Sequence, residues 1–363
     1  MNRREAGFTL IELLIGMAIG AFVLAAAVTF FVLSFRQFKV QTKIVETNVE
    51  GVLGLELFRH DLENMGFGLP WNNLVAYSER PGAAAVIAAL DDTPNAPRAV
   101  VSIDNASFTV NQSDYLVIRS ARVGMDDSAG KWTTLTQANA TRPWVPSEED
   151  ITNGDYVIVL RVGSTDANRR SLVTAAGSAY TTFTIAGTAS FVPVEPYSAN
   201  IVYGIGSVQP VRPFNRAEYF IDDSAVPQHC APITGVLVKA PVAHDAGGTI
   251  GTPGNPLLPL VDCVADMEVL YLLDTNGDGV PEPPPVNDIR ALLPTAADVR
   301  AQVVEVRVHL LVQEGQRDDS YQAPVSSYFV GSGGVGRNFD ISGYGNYRWK
   351  VYSIAVKPRN LVQ

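Results

Sequence analysis

The chain has 363 residues, 47% apolar and 18% charged, with 30 Gly and 23 Pro, which is enough apolar material for a sizeable core broken by many turns. Its 37 acidic and 27 basic side chains give a net charge of −10, and no Lys/Arg run exceeds two residues. This excludes a general nucleic-acid binder, which needs a basic footprint to displace phosphate counterions. Two cysteines, four scattered histidines and neither an HExxH nor a CxxC motif exclude structural and hydrolytic zinc for lack of ligands.

Residues 1–7 are short and polar and include Arg3 and Arg4, and Phe8 to Phe35 follow as 28 residues with one charge, Glu12. About 20 apolar residues suffice to span a bilayer as a helix. A secretory signal cleaved after Ala25-Ala26-Ala27 is opposed by the apolar residues that continue through Val28, Phe30, Phe31, Val32, Leu33 and Phe35. A plain membrane anchor is opposed by Glu12, because an intramembrane carboxylate costs about 2.5 kcal/mol or more and is functional by default.

Downstream, Val45, Val49, Val52, Leu55, Phe58 and Leu62 recur at spacings of three and four, the stripe of an amphipathic helix. No proline occurs before Pro70, so a single helix is predicted over 8–65, with the membrane segment at 8–35. Its length is roughly 85 Å at 1.5 Å per residue. Gly66 and Gly68 supply the stop. Gly16 and Gly20 form a GxxxG, a spacing common in apolar helices that carries little weight here.

After Pro70 the pattern changes to short strands between turn signals. They are predicted at 99–103, 115–119, 156–162, 181–185, 201–203, 217–221, 235–239, 267–273, 303–312 and 349–356. Val304, Val306, Val308, Leu310 and Val312 should face inward, with Glu305, Arg307 and His309 outward. Breaks rich in Gly and Pro at 80–97, 246–259, 281–288 and 331–346 read as loops inside one β-rich unit, 66–363. The expected fold class is α+β: a long N-terminal helix, apolar in its first half, packed on a large antiparallel β-rich globular domain.

The string Gly7-Phe8-Thr9-Leu10-Ile11-Glu12-Leu13-Leu14 resembles the prepilin signature of type IV pilins and type II secretion pseudopilins. The resemblance implies that prepilin peptidase cuts between Gly7 and Phe8 and methylates the Phe8 amine, making 1–7 a leader. It also implies a single-pass inner-membrane protein whose globular part lies outside the cytoplasm, in the periplasm or on the cell exterior, and whose helix later enters a pilus core. Cleavage puts a cationic amine about one turn from Glu12, and neither charge can be buried alone. In the family this glutamate pairs with the amine of a neighbouring subunit during assembly.

The strings Phe58 to Gly68, Leu260 to Tyr271 and Tyr347 to Ser353 are similar to those of PilW-like minor pilins. A large globular part and an apolar helix without proline count against a major subunit. The implied role is a minor pilin that initiates or caps filament assembly. Its implied partners are prepilin peptidase, other minor and major pilins and a pilus-tip adhesin. It is then the substrate of an enzyme and is not itself one. A type II secretion minor pseudopilin at the pseudopilus tip shares the same plan. The rival from another class is a membrane-anchored binding protein or hydrolase using a prepilin signal, which a cleft lined with titratable residues would support.

Asp274, Asn276, Asp278 and Gly279 read D-x-N-x-D-G, the first half of a calcium loop. The Val280 carbonyl and Glu282 would take the next ligand positions. Position 12, where an EF-hand needs glutamate, is Pro285, so only Asp288 could close the site, and a plain turn is the alternative. No other cofactor is indicated. Cys230 and Cys263 lie in the part placed outside the cytoplasm, where a disulfide is expected, the alternative being two unpaired thiols. Gly331, Gly333 and Gly336 spell G-x-G-x-x-G but lack the strand, helix and acid of a dinucleotide site, so a loop is expected. His60, His229, His244 and His309 read as solvated surface groups with no Ser or Cys nucleophile nearby.

Overall fold

The computed structural model describes residues 9–361 except 73–75, 93–95, 139, 164–168, 175–177, 179, 185 and 195–197, with backbone alone at 36, 40, 44 and 46–50. The unbroken apolar run and the absence of proline produce one 54-residue helix, Leu10–Glu63. A capping box starts it: Thr9 Oγ1 accepts the Glu12 N–H at 3.4 Å, and Glu12 Oε2 accepts the Thr9 N–H at 2.9 Å. Asn64 caps the C-terminus, its side-chain amide donating to the His60 carbonyl at 2.8 Å. Gly66 and Gly68 then turn the chain at φ +78° and +70°, a region costly for any residue with a Cβ.

Most of this helix stands clear of the globular part. Phe22 is 79% exposed, Phe38 67% and Val52 60%, so the sheet does not cover the whole second half as the apolar stripe predicts. Contact begins at Gly54, where a Cβ would lie 1.6 Å from the Leu260 carbonyl oxygen. From there Phe58, Leu62 and Met65 are fully buried, with the Phe58 ring 5.0 Å from that of Tyr219. Asp61 fixes the docking, accepting from the Tyr219 hydroxyl and from Lys239 Nζ, each at 2.8 Å.

The helix end packs on an eight-stranded antiparallel sheet. Its spatial order is Val100–Ile103, Tyr115–Ser120, Asn215–Asp222, Gly235–Pro241, Leu258–Leu273, Val303–Glu314 and Arg348–Val356, with Glu282–Val286 paired to the end of the long strand. Alternation sorts the side chains. Met267, Val269 and Tyr271, with Val306, Val308 and Leu310 opposite, join Phe58 and Leu62 in the main core. The intervening Glu268 and His309 face the other side. A second, six-stranded sheet orders Ala140–Thr141, Trp132–Gln137, Asn200–Gly206, Tyr156–Arg161 and Leu172–Val173, with Thr181–Thr182 also on Tyr156–Arg161. One of its faces has its own core of Leu135, Val157, Val159, Phe183 and Val202. Tyr203, on the other face, meets Phe67 just past the helix, ring to ring at 5.2 Å.

The ten predicted strands are present, several longer or shorter than expected, and Ile185 lies outside the described residues. Two of the predicted loops contain strands. Glu282–Val286 lies inside 281–288, carried by the edge of the long strand despite its prolines. Ser327–Ser332 and Val335–Asp340 form a hairpin that places Gly331 opposite Gly336, so the glycine motif belongs to a tight β-turn. His309 is 4% exposed rather than solvated, because this hairpin covers its face of the sheet.

Candidate functional site

Gly7 and Phe8, the predicted processing site, lie outside the described residues. Glu12 stands on the exposed first turn of the helix, its carboxylate accepting from both the Thr9 amide and the Thr9 hydroxyl at 2.9 Å. The stretch Leu10–Lys43 is long and apolar enough to cross a membrane, and none of its described side chains is buried against the rest of the chain. Such a surface is stable only under lipid or another protein.

Cys230 and Cys263 form the expected disulfide, with Cα atoms 5.1 Å apart. It ties the turn before Gly235–Pro241 to the long strand, where Cys263 sits at φ +56°, next to the register shifts on both sides of that strand.

In the predicted calcium loop, carboxylate oxygens of Asp274, Asp278 and Glu282 lie within 4.8 Å of one another. Asp274 accepts the Gly277 N–H at 2.6 Å and the Gly279 N–H at 2.7 Å, and the Gly279 amide leads in holding its carboxyl below the usual range. Asn276 Oδ1 accepts the Asp278 N–H, and Asp278 Oδ1 accepts the Val280 N–H, each at 2.8 Å. Glu282 Oε2 accepts the Thr275 N–H at 2.7 Å, while its buried Oε1 has no hydrogen-bond partner. Asp288 does not close the loop, because it is held by Arg290 at 2.7 Å.

Two serines flank a histidine, which sequence reasoning missed because they are 44 and 23 positions away. His309 Nδ1 lies 2.7 Å from Ser353 Oγ and Nε2 lies 3.1 Å from Ser332 Oγ. Burial, followed by the charge of Arg307, holds its pKa below the ordinary value. With a serine on each nitrogen, no carboxylate orients the ring as a general base requires. A separate cleft is lined by Asp126, Arg216, His244 and Asp245 but includes no Ser, Thr or Cys among its described lining. There Arg216 is bound to Glu79 and Glu218, and His244 Nε2 sits 2.9 Å from Asn215 Oδ1.

A long apolar helix followed by a large antiparallel β domain defines the class, an α+β fold of pilin-like plan. Residues 2–28 match the family model described as Prokaryotic N-terminal methylation motif, which supports a type IV pilin-like or pseudopilin-like protein. Such a motif implies processing by prepilin peptidase, membrane anchoring through the apolar helix and assembly with other pilins in general. No curated protein and no solved structure matches the chain.

Proposed function

We propose that this chain is a PilW-like minor pilin that initiates or caps assembly of a type IV pilus and has no catalytic role of its own. The observation that carries this reading is the helix. The segment Leu10–Lys43 is long and apolar enough to cross a membrane, its described side chains are exposed, it overlaps the matched motif, and contact with the sheet begins only at Gly54. Before assembly the segment sits in the inner membrane with the domain outside the cytoplasm. During assembly the same surface transfers to neighbouring helices, so no apolar area returns to water. Glu12 is then the group that recognises a neighbour's N-terminal amine, giving up its Thr9 contacts for a charge-assisted pair. A minor pseudopilin at the tip of a type II secretion pseudopilus uses the same parts, and the pilins or secretion components that co-purify with the chain separate the two. The loop around Asp274, Asp278 and Glu282 is proposed to take calcium, favoured by the three converging carboxylates and the unpartnered Glu282 Oε1.

The direct test is the N-terminus of membrane-extracted protein, read by intact mass and sequencing. Mature chain beginning with N-methyl-Phe8 is expected. Cleavage after Ala27, or a retained Met1, would overturn the pilin reading.

A further inference from the structure

On the sheet face turned away from the helix, Asp104, Asp114 and Glu268 bring carboxylate oxygens within 4.8 Å of one another. They come from three places in the chain: the turn after Val100–Ile103, the residue before Tyr115–Ser120, and the middle of the long strand. Asp114 is fully buried and Glu268 is 2% exposed. Asp114 is rigidly aimed, accepting the Asn105 N–H at 3.0 Å through Oδ1 and the Val269 N–H at 2.7 Å through Oδ2.

The other two carboxylates are left short of partners. Glu268 Oε1 and Asp104 Oδ1 are buried and accept no hydrogen bond. The nearest cation is Arg337, whose Nε lies 3.0 Å from Glu268 Oε1. Its donors point elsewhere, however: Nε donates to Asp266 Oδ2 at 2.9 Å, Nη2 to Asp266 Oδ1, and Nη1 to Asn105 Oδ1 at 3.3 Å. Arg290, on the Asp104 side, is held by Asp288. Among the described residues, no Lys or Arg forms an ion pair with Asp104 or Asp114. Four carboxylates, counting Asp266, therefore face one guanidinium, with Asp114, Asp266 and Glu268 buried and Asp104 at a partly exposed rim. Buried charge with too little countercharge is costly for a fold to hold.

We infer that Asp104, Asp114 and Glu268 bind a divalent cation of the hard, oxygen-preferring class, with calcium the best fit. An all-oxygen set excludes soft metals. Calcium accepts six to eight oxygens in a flexible shell, which suits ligands drawn from three separate segments, whereas magnesium demands near-ideal octahedral geometry and keeps several waters. One ion would satisfy the two orphaned oxygens and leave the group near neutrality. Because the ligands join the first strands of the sheet to its central strand, the ion would lock that face beneath the hairpin that carries Arg337.

The test uses full-length protein in detergent, with calcium chloride as the probe and equilibrium dialysis as the readout. Asp278→Ala is included throughout so that the separate loop at 274–282 does not contribute. One calcium ion per chain is expected to remain bound in Asp278→Ala. Adding Glu268→Gln, which keeps size and shape, should abolish it, and adding Asp104→Asn at the more exposed rim should weaken it at least tenfold. If Glu268→Gln fails to fold, as judged by circular dichroism, Asp104→Asn decides. Absence of calcium binding in Asp278→Ala, or binding of equal strength in all variants, would overturn the inference. Neither result bears on the pilin reading, which rests on the N-terminus.

Discussion

Gly54 shows how closely a single residue controls the junction of helix and sheet. The Leu260 carbonyl occupies the space a Cβ would need, and backbone cannot step aside as a flexible side chain can. Gly54→Ala should lower stability by about 1–3 kcal/mol, the usual cost of overpacking. Gly51, one turn earlier, has nothing within 4 Å of its Cβ position. There alanine should stabilise by up to about 1 kcal/mol through helix propensity. Urea unfolding of the two variants checks both signs, and equal effects would mean that the close approach is absent. A second residue-scale case is Glu79, fully buried and held at 2.8 Å by both Arg119 and Arg216. Burial alone would raise its carboxyl, but the two guanidiniums outweigh it and bring it down from 4.5 to about 2. A depressed carboxylate contributes stability that is complete above its unfolded pKa and lost as pH falls through its folded one. The unfolding midpoint should therefore decline between pH 4.5 and 2, and Glu79→Gln should flatten that decline.

At the scale of elements, the Asp274–Glu282 loop joins the long strand to the strand that returns along its edge. Three carboxylates there repel one another unless an ion or solvent intervenes, and an open loop of this kind binds calcium at about 0.1–1 mM. Calcium at ten times the dissociation constant should stabilise the fold by about 1.4 kcal/mol through mass action. The expected result is a rise in the thermal midpoint of wild-type protein with calcium over chelator, partly lost in Asp278→Ala together with one bound ion. An unchanged ion count in that variant would leave the loop a plain turn. The disulfide acts on a neighbouring element, closing a 33-residue separation for a stabilisation of about 3–4 kcal/mol in the chain-entropy account.

For the whole molecule, the decisive feature is a helix whose apolar surface is uncovered over most of its length while the domain hangs from its end. On the proposed function, that division would let one chain be a membrane protein first and a filament subunit afterwards. Glu12→Ala should leave the protein in the membrane, because the apolar run is intact, yet impair its entry into fibres. Immunoblots of sheared-fibre and membrane fractions read this directly, and normal incorporation would deny the carboxylate an assembly role. A domain of this bulk also suits a rare position. Purified fibres should hold this chain far below the shaft subunit, and its deletion should reduce the number of pili.

Sequence by itself determined the single long helix, the strand segments of the main sheet and the α+β class, because each rests on local pattern: an apolar run, a period of 3.6 or a period of two; the processing motif is read instead from resemblance to a known signature. Tertiary structure alone decided how little of the apolar stripe meets the sheet, which depends on where Gly54 admits the Leu260 backbone. It also decided that His309 is covered, that the glycine motif is a hairpin and that Glu282–Val286 is a strand. The carboxylates at 104, 114 and 268 were illegible in sequence for the same reason. Residues 154 positions apart carry no shared periodicity, and only the pairing of strands across the sheet brings their charges together.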